Sequence, residues 1–139
     1  MLKTTPYLHF DGRAQEAMTF YKSILGGEFL IFSRYKDIPG GEKVSAEDRD
    51  KVIHITLKVS DNVSLMATDL LKSMGPLQVG NNLHICLHTE SEAETDRLFE
   101  KLSKGGSIEM PLNNTFWGSY FGMCRDKFGV QWMLEYSVA

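Results

Sequence analysis

The sequence has no apolar stretch approaching the roughly 20 residues of a membrane-crossing helix, and its start, MLKTTPYLHF, holds no apolar run of signal-peptide length. These absences predict a cytoplasmic protein with no membrane partner. Lysine and arginine occur singly and are outnumbered by acidic residues, for a net charge of −3. The clustered cations that hold a phosphate backbone are missing, so nucleic acid is not an expected partner. The two cysteines, Cys86 and Cys124, form no CxxC pair. In a reducing cytosol both are expected as thiols packed as small buried hydrophobes. Glycine-rich strand-to-helix turns, phosphate loops and arginine clusters are also absent, which removes the usual signs of a nucleotide cofactor or a phosphate-binding site.

What is present suits one folded domain. A chain of 139 residues with 42% hydrophobic content can bury one core and is too short for two ordinary independent domains. Apolar residues at 14, 17, 18, 21, 24 and 25, followed by Gly26-Gly27, predict a helix over Ala14 to Leu25. Ser91 with Glu94 three residues later is a capping-box pattern; Leu98, Phe99 and Leu102 follow, and Gly105-Gly106 ends a second helix.

The two helical segments align at an offset of 79, pairing Leu8 with Leu87, His9 with His88, Ala14 with Ala93, Phe20 with Phe99, and the glycine pairs. Strand-like segments GEFLIFSRY, VIHITLKV and SLMATD follow the first helix; SIEMPL, SYFGMCR and VQWMLEY follow the second. The pattern predicts an α+β fold of two tandem βαβββ modules, about 1–69 and 82–139. Residues of about 70–81 form the connector between them. The charged segment 36–51 predicts a surface loop, of a length that can serve as a lid or a partner contact.

The paired modules, FYKSILGGE at the first helix end and DKFGVQWMLEY at the last strand resemble the vicinal oxygen chelate superfamily, which includes glyoxalases, bleomycin-resistance proteins and dioxygenases. PYLHFDG, HITLKV with SLMATD, and LSKGGSIEMPLNNTFWGSYFG resemble its PhnB-like branch. The resemblance implies a curved mixed sheet around a concave pocket and a homodimer. Some members carry a label for ubiquinone methylation, which the missing cofactor turn does not support.

Metal-dependent relatives place ligands on the first and last strands of each module, positions that correspond here to Thr5, Met66, His84 and Met133. Thioethers and a neutral hydroxyl are poor ligands for Zn²⁺, Mn²⁺ or Ni²⁺, so neither a standard metal centre nor another cofactor is expected. Any divalent metal would sit at a shifted site, with His84 joined by His9, His88 or Glu135, because strand alternation puts Glu135 on the face of Met133, and His9 and His88 on the faces of Thr5 and His84.

Further candidates follow from alternation. In VIHITLKV, His54 shares a face with Val52, Thr56 and Lys58, opposite Ile53, Ile55, Leu57 and Val59. His54 and Glu135 are the candidate general bases. His9, Met66, Asp69, His84, His88, Trp117, Phe121 and Met133 are the candidate ligand contacts. Phe116 and Tyr120 lie in the same aromatic segment, which can wall a pocket or a dimer interface. Asp126 reads as a turn carboxylate bonded to nearby amides. The residues permit two functions: a homodimeric small-molecule binding protein, or an enzyme on a small carbonyl or other oxygen-rich substrate.

Overall fold

The computed structural model describes residues 1–137. It contains two compact units, Met1–Gln78 and Val79–Ala139, each with one long helix and one four-stranded sheet.

The first unit runs β1 (Tyr7–Phe10), α1 (Ala14–Leu25), β2 (Glu28–Arg34), β3 (Val52–Lys58) and β4 (Ser64–Asp69). Its sheet has the order β1-β4-β3-β2, with β1 parallel to β4 and the other neighbours antiparallel. The second unit repeats this: β5 (Ile85–His88), α2 (Glu92–Ser103), β6 (Ser107–Asn114), β7 (Ser119–Arg125) and β8 (Gln131–Ser137), in the order β5-β8-β7-β6. This is the fold of two βαβββ modules.

Register confirms the repeat residue by residue. Tyr7 pairs with Met66, Met66 with Thr56 and Thr56 with Ile31, a row matched by Cys86, Met133, Met123 and Met110. The offset is 79 at the first two strand positions of each module and 67 at the last two. The difference of 12 is the longer β2–β3 connection of the first unit.

Both helices pack their apolar stripe on one side of their sheet. Ala17, Met18 and Tyr21 of α1 are sealed with Ile55, Leu57, Leu65 and Ala67; in the second unit Leu98, Phe99 and Leu102 accompany Trp132, Leu134 and Cys124 in the core. The opposite face of each sheet carries the polar positions of the strands. That division is less clean than alternation predicts, since Val52 and Thr56, on the His54 side of β3, are 1% and 5% exposed. A register shift where Arg34 pairs with Val52 turns that end of the strand inward.

Each helix is started differently. Ser91 Oγ accepts from the Glu94 amide at 3.0 Å, and the Glu94 carboxylate reaches back to the Glu90 amide, one residue beyond the expected capping-box partner. Helix α1 has no local cap. Instead Asp69, at the end of β4, accepts from the amides of Gly12 and Ala14 at 2.9 Å each.

The 36–51 segment is more structured than a solvated loop. It holds 3-10 turns at Tyr35–Asp37 and Gly41–Lys43. It is pinned by Tyr35 Oη donating to the Asp69 carbonyl and by the buried Asp48 carboxylate, which accepts from the Lys72 amide.

Candidate functional site

In the first unit, Tyr7 Oη lies 3.0 Å from His54 Nδ1, and His54 Nε2 lies 2.8 Å from Thr56 Oγ1. The His9 ring stands beside Tyr7, with centroids 5.6 Å apart, and Met66 lies between Tyr7 and Thr56 in register. Burial, reinforced by Tyr35 and opposed by a Thr68 hydrogen bond, pushes the Tyr7 phenol above 10.0. Tyr7 therefore keeps its phenolic proton at neutral pH. Both imidazole nitrogens are engaged.

The second unit gathers three groups. His88 Nδ1 lies 2.9 Å from Glu135 Oε2, and the Cys86 thiol joins them, with all three donor atoms within 4.8 Å of one another. Ser137 Oγ donates to the other Glu135 oxygen. Burial, then the Glu135 charge, pushes the Cys86 thiol up, so the free thiol is a weak nucleophile at neutral pH. His84 goes elsewhere, with Nε2 3.0 Å from Glu109 Oε1, while Gln131 Nε2 donates to Glu109 Oε2 at 2.7 Å. Burial raises the Glu109 carboxyl, but the hydrogen bonds of Gln131 and His84, with the charges of His84 and Arg125, outweigh it and hold the group below its ordinary value.

The third group is aromatic. Trp117 makes edge contacts with Phe116 at 5.0 Å and Phe121 at 5.8 Å between centroids. With Met110, Leu112 and Asn113 they line an open crevice of about 430 Å³. Phe121 is the cross-strand partner of Glu135, which pairs with His88, so one row runs from the carboxylate to the crevice. Tyr120 points the other way, donating to Asp96 of α2.

Of the candidates, His54, His9 and Met66 share the open face of the first sheet. Glu135, His88 and Met133 share that of the second, with Trp117 and Phe121 in its crevice. His84 and His88 do not meet; four residues of extended chain separate them by about 13 Å. Asp69 faces away from these groups. It is 1% exposed, and three backbone amides, from Gly12, Ala14 and Val52, occupy its carboxylate. Asp126 has the turn role expected of it, accepting from the amides of Phe128 and Val130 and from Trp132 Nε1.

Cys86 corrects the reading of both cysteines as buried, because only Cys124 is. Lying between Ile85 and Leu87, it must share the face of His84 and His88. Tyr7, Glu109 and Gln131 were not among the candidates; Tyr7 was findable, sharing the alternation of His9 in PYLHF.

A family model described as 3-demethylubiquinone-9 3-methyltransferase matches residues 2–135. The protein YjdN of Escherichia coli is 30% identical, over 94% of this chain and 92% of its own length. The chain belongs to this family, the PhnB-like branch of the vicinal oxygen chelate superfamily. Protein PA1353 of Pseudomonas aeruginosa is 37% identical with a TM-score of 0.87, covering 99% of this chain and 98% of its own. The PhnB protein of Bacillus cereus is 31% identical with a TM-score of 0.74, over 98% of this chain and 100% of its own. A glyoxalase/bleomycin-resistance/dioxygenase domain from Frankia, 14% identical with a TM-score of 0.69 over 99% of this chain and 93% of its own, shares the fold.

Neither group that these names imply fits the residues present. A nucleoside methyl donor finds no glycine-rich strand-to-helix turn: the β1–α1 turn has the single Gly12, whose amide and that of Ala14 are taken by Asp69, and the β5–α2 turn has no glycine. The sequence resemblance makes Thr5, Met66, His84 and Met133 the positions that correspond to the superfamily's metal quartet. Met66 and Met133 are confirmed by register as equivalent last-strand positions, and His84 is bound to Glu109. Among the described residues, no helix is long and apolar enough to cross a membrane.

Proposed function

We propose that this PhnB-like protein is a homodimeric small-molecule binding protein that takes a flat or largely apolar organic ligand without the superfamily's metal quartet. One observation carries the reading: Trp117, 57% exposed, stands edge to face with both Phe116, 98% exposed, and Phe121 over a crevice whose lining is mostly apolar. Exposed aromatics grouped around a concavity, with a few polar groups to fix orientation, are the usual composition of an organic-ligand site. The second copy is supported by the solvent-facing apolar residues of β2 and β6, including Leu30, Ile31, Ile108 and Met110, which exceed what each core uses.

Tryptophan fluorescence tests it directly, because Trp132 is fully buried and Trp117 is not. A panel of aromatic and aliphatic ligands should include some that change Trp117 emission saturably without being consumed. Measured by calorimetry, Trp117→Ala should weaken these about tenfold, the equivalent of 1.4 kcal/mol. Turnover of a bound ligand, or affinity unchanged by Trp117→Ala, overturns the reading. A monomer by light scattering at high concentration removes the dimer.

The competing reading is an enzyme of lyase, isomerase or dioxygenase type acting on a small oxygen-rich substrate. The observation in its favour is the His88–Glu135 pair at 2.9 Å, an imidazole and a carboxylate in contact on the open face. It requires a pH-dependent rate that collapses in Glu135→Gln.

A further inference from the structure

The open face of β5 and β8 carries a set of donors that the superfamily's metal positions do not include. Cys86 and His88 are two residues apart on β5 and project to the same side; Glu135 is the parallel-strand partner of His88. Thiol, imidazole and carboxylate atoms lie within 4.8 Å of one another. Two of them already touch, at 2.9 Å. We propose that Cys86, His88 and Glu135 form a binding site for a borderline divalent cation of the Zn²⁺ type. The site is displaced by one alternation or more along both strands from the His84 and Met133 positions where the superfamily's ligands fall. It does not rest on the organic-ligand reading and survives that reading's failure.

The donor chemistry selects the ion. Thiolate, imidazole and carboxylate are together the ligand types of zinc, whereas Mg²⁺ and Ca²⁺ take oxygen alone. Around a tetrahedral ion with bonds of about 2.0–2.3 Å, ligand atoms stand about 3.3–3.7 Å apart. The present spacing, within 4.8 Å, exceeds that value by about 1 Å, a difference on the scale of the rotation open to the Cys86 and His88 side chains. Both strands are hydrogen-bonded through these positions, so the donors are held on rigid elements.

The surroundings also suit an ion. Ser137 Oγ bonds one Glu135 oxygen and leaves the other aimed at His88, the kind of outer contact that orients a ligating carboxylate. Three protein ligands leave a fourth position for water or for a donor atom of a bound molecule. Glu135 is also the cross-strand partner of Phe121, so an ion here borders the aromatic crevice.

The test uses the untagged full chain, stripped with chelator and titrated with Co²⁺ and Zn²⁺. One equivalent of Co²⁺ should produce thiolate-to-cobalt charge-transfer absorption in the near ultraviolet, and Zn²⁺ should displace it. Cys86→Ser should abolish that band; His88→Ala and Glu135→Gln should each weaken binding at least tenfold. The three side chains lie on the open face outside the core, so these variants are expected to fold, which circular dichroism checks. Cys124→Ala should keep the band wherever it remains folded. No band at one equivalent, a band that persists in Cys86→Ser, or affinity that falls with His84→Ala and not with His88→Ala would overturn the proposal.

Discussion

Gly106 lies so close to Arg125 that a Cβ at this glycine would come within 2.0 Å of the Arg125 carbonyl oxygen. Gly27 stands in the same relation to Lys58, at 2.3 Å, with φ +90° besides. The second glycine of each Gly-Gly pair therefore does more than stop a helix. It lets the start of β2 or β6 press against the last residue of the neighbouring strand. Gly27→Ala and Gly106→Ala should each destabilise the protein by about 1–3 kcal/mol, since the clashing atoms are backbone and cannot rotate away. Urea unfolding checks this against Gly80→Ala, whose Cβ would meet only the Asn82 side chain at 3.6 Å and should change stability by less than about 0.5 kcal/mol.

The repeat was legible because both causes of it are local: apolar residues at helical spacing, and glycines at a fixed distance after them. The candidate site was less so. Alternation groups Glu135 with Met133, His9 with Thr5 and His88 with His84 on one face of each strand, but it cannot say which neighbour a side chain chooses. His84 turns to Glu109 on β6, a partner 25 residues away that no spacing rule names. Asp69 shows the opposite limit. A carboxylate at a strand end resembles a ligand contact in sequence, yet here it completes a helix whose own cap residue, Arg13, makes no side-chain cap.

Asp69 should accordingly act on stability and leave binding alone. Its carboxylate satisfies the amides of Gly12, Ala14 and Val52, and removing it strands these donors against the core. Asp69→Ala should cost about 3 kcal/mol or more, at roughly 1–3 kcal/mol per unpaired buried group with partial relaxation. The fraction that stays folded should bind ligand as the parent does. A variant of normal stability and lost affinity would move Asp69 into the site.

Asp48 gives the fold an acid dependence. Its carboxylate lies 2.7 Å from Lys51 Nζ and accepts from Ser45 Oγ and the Lys72 amide. The Lys51 hydrogen bond, opposed by burial and aided by Lys72 and Ser45, holds the carboxyl below its ordinary 3.8. A folded value below the unfolded one means the stabilisation is complete above about pH 4 and is lost as pH falls through the folded value. Asp48→Asn should melt lower than the parent at pH 7, and the gap should close below pH 3.8. A gap that stays constant on acidification would show that the carboxylate charge contributes nothing.

The two thiols should separate by reactivity. Burial, with Asp126 and Glu109 behind it, pushes Cys124 up to about 12, and the residue is sealed in the core; Cys86 is raised less and is exposed. A disulfide reagent should titrate one thiol in the native protein and two in denaturant. The native rate should climb with pH as the Cys86 thiolate forms, and Cys86→Ser should remove it. Two thiols reacting at equal rates in the native state would contradict the burial of Cys124.

His54 distinguishes binding from catalysis. Its two ring nitrogens are engaged by Tyr7 Oη and Thr56 Oγ1, so taking a proton from a substrate would first require breaking one of these contacts. A general base needs a free lone pair within about 2.6–3.2 Å of the proton it removes. On this geometry His54 orders the open face of the first sheet, and His54→Ala or Tyr7→Phe should change ligand affinity only a few-fold, with no rate to abolish. Should any substrate be turned over, Tyr7→Phe is the informative variant. It frees Nδ1, so a rate that rises in Tyr7→Phe and vanishes in His54→Ala would make His54 a base that the tyrosine restrains, and the binding reading would give way to the enzymatic one.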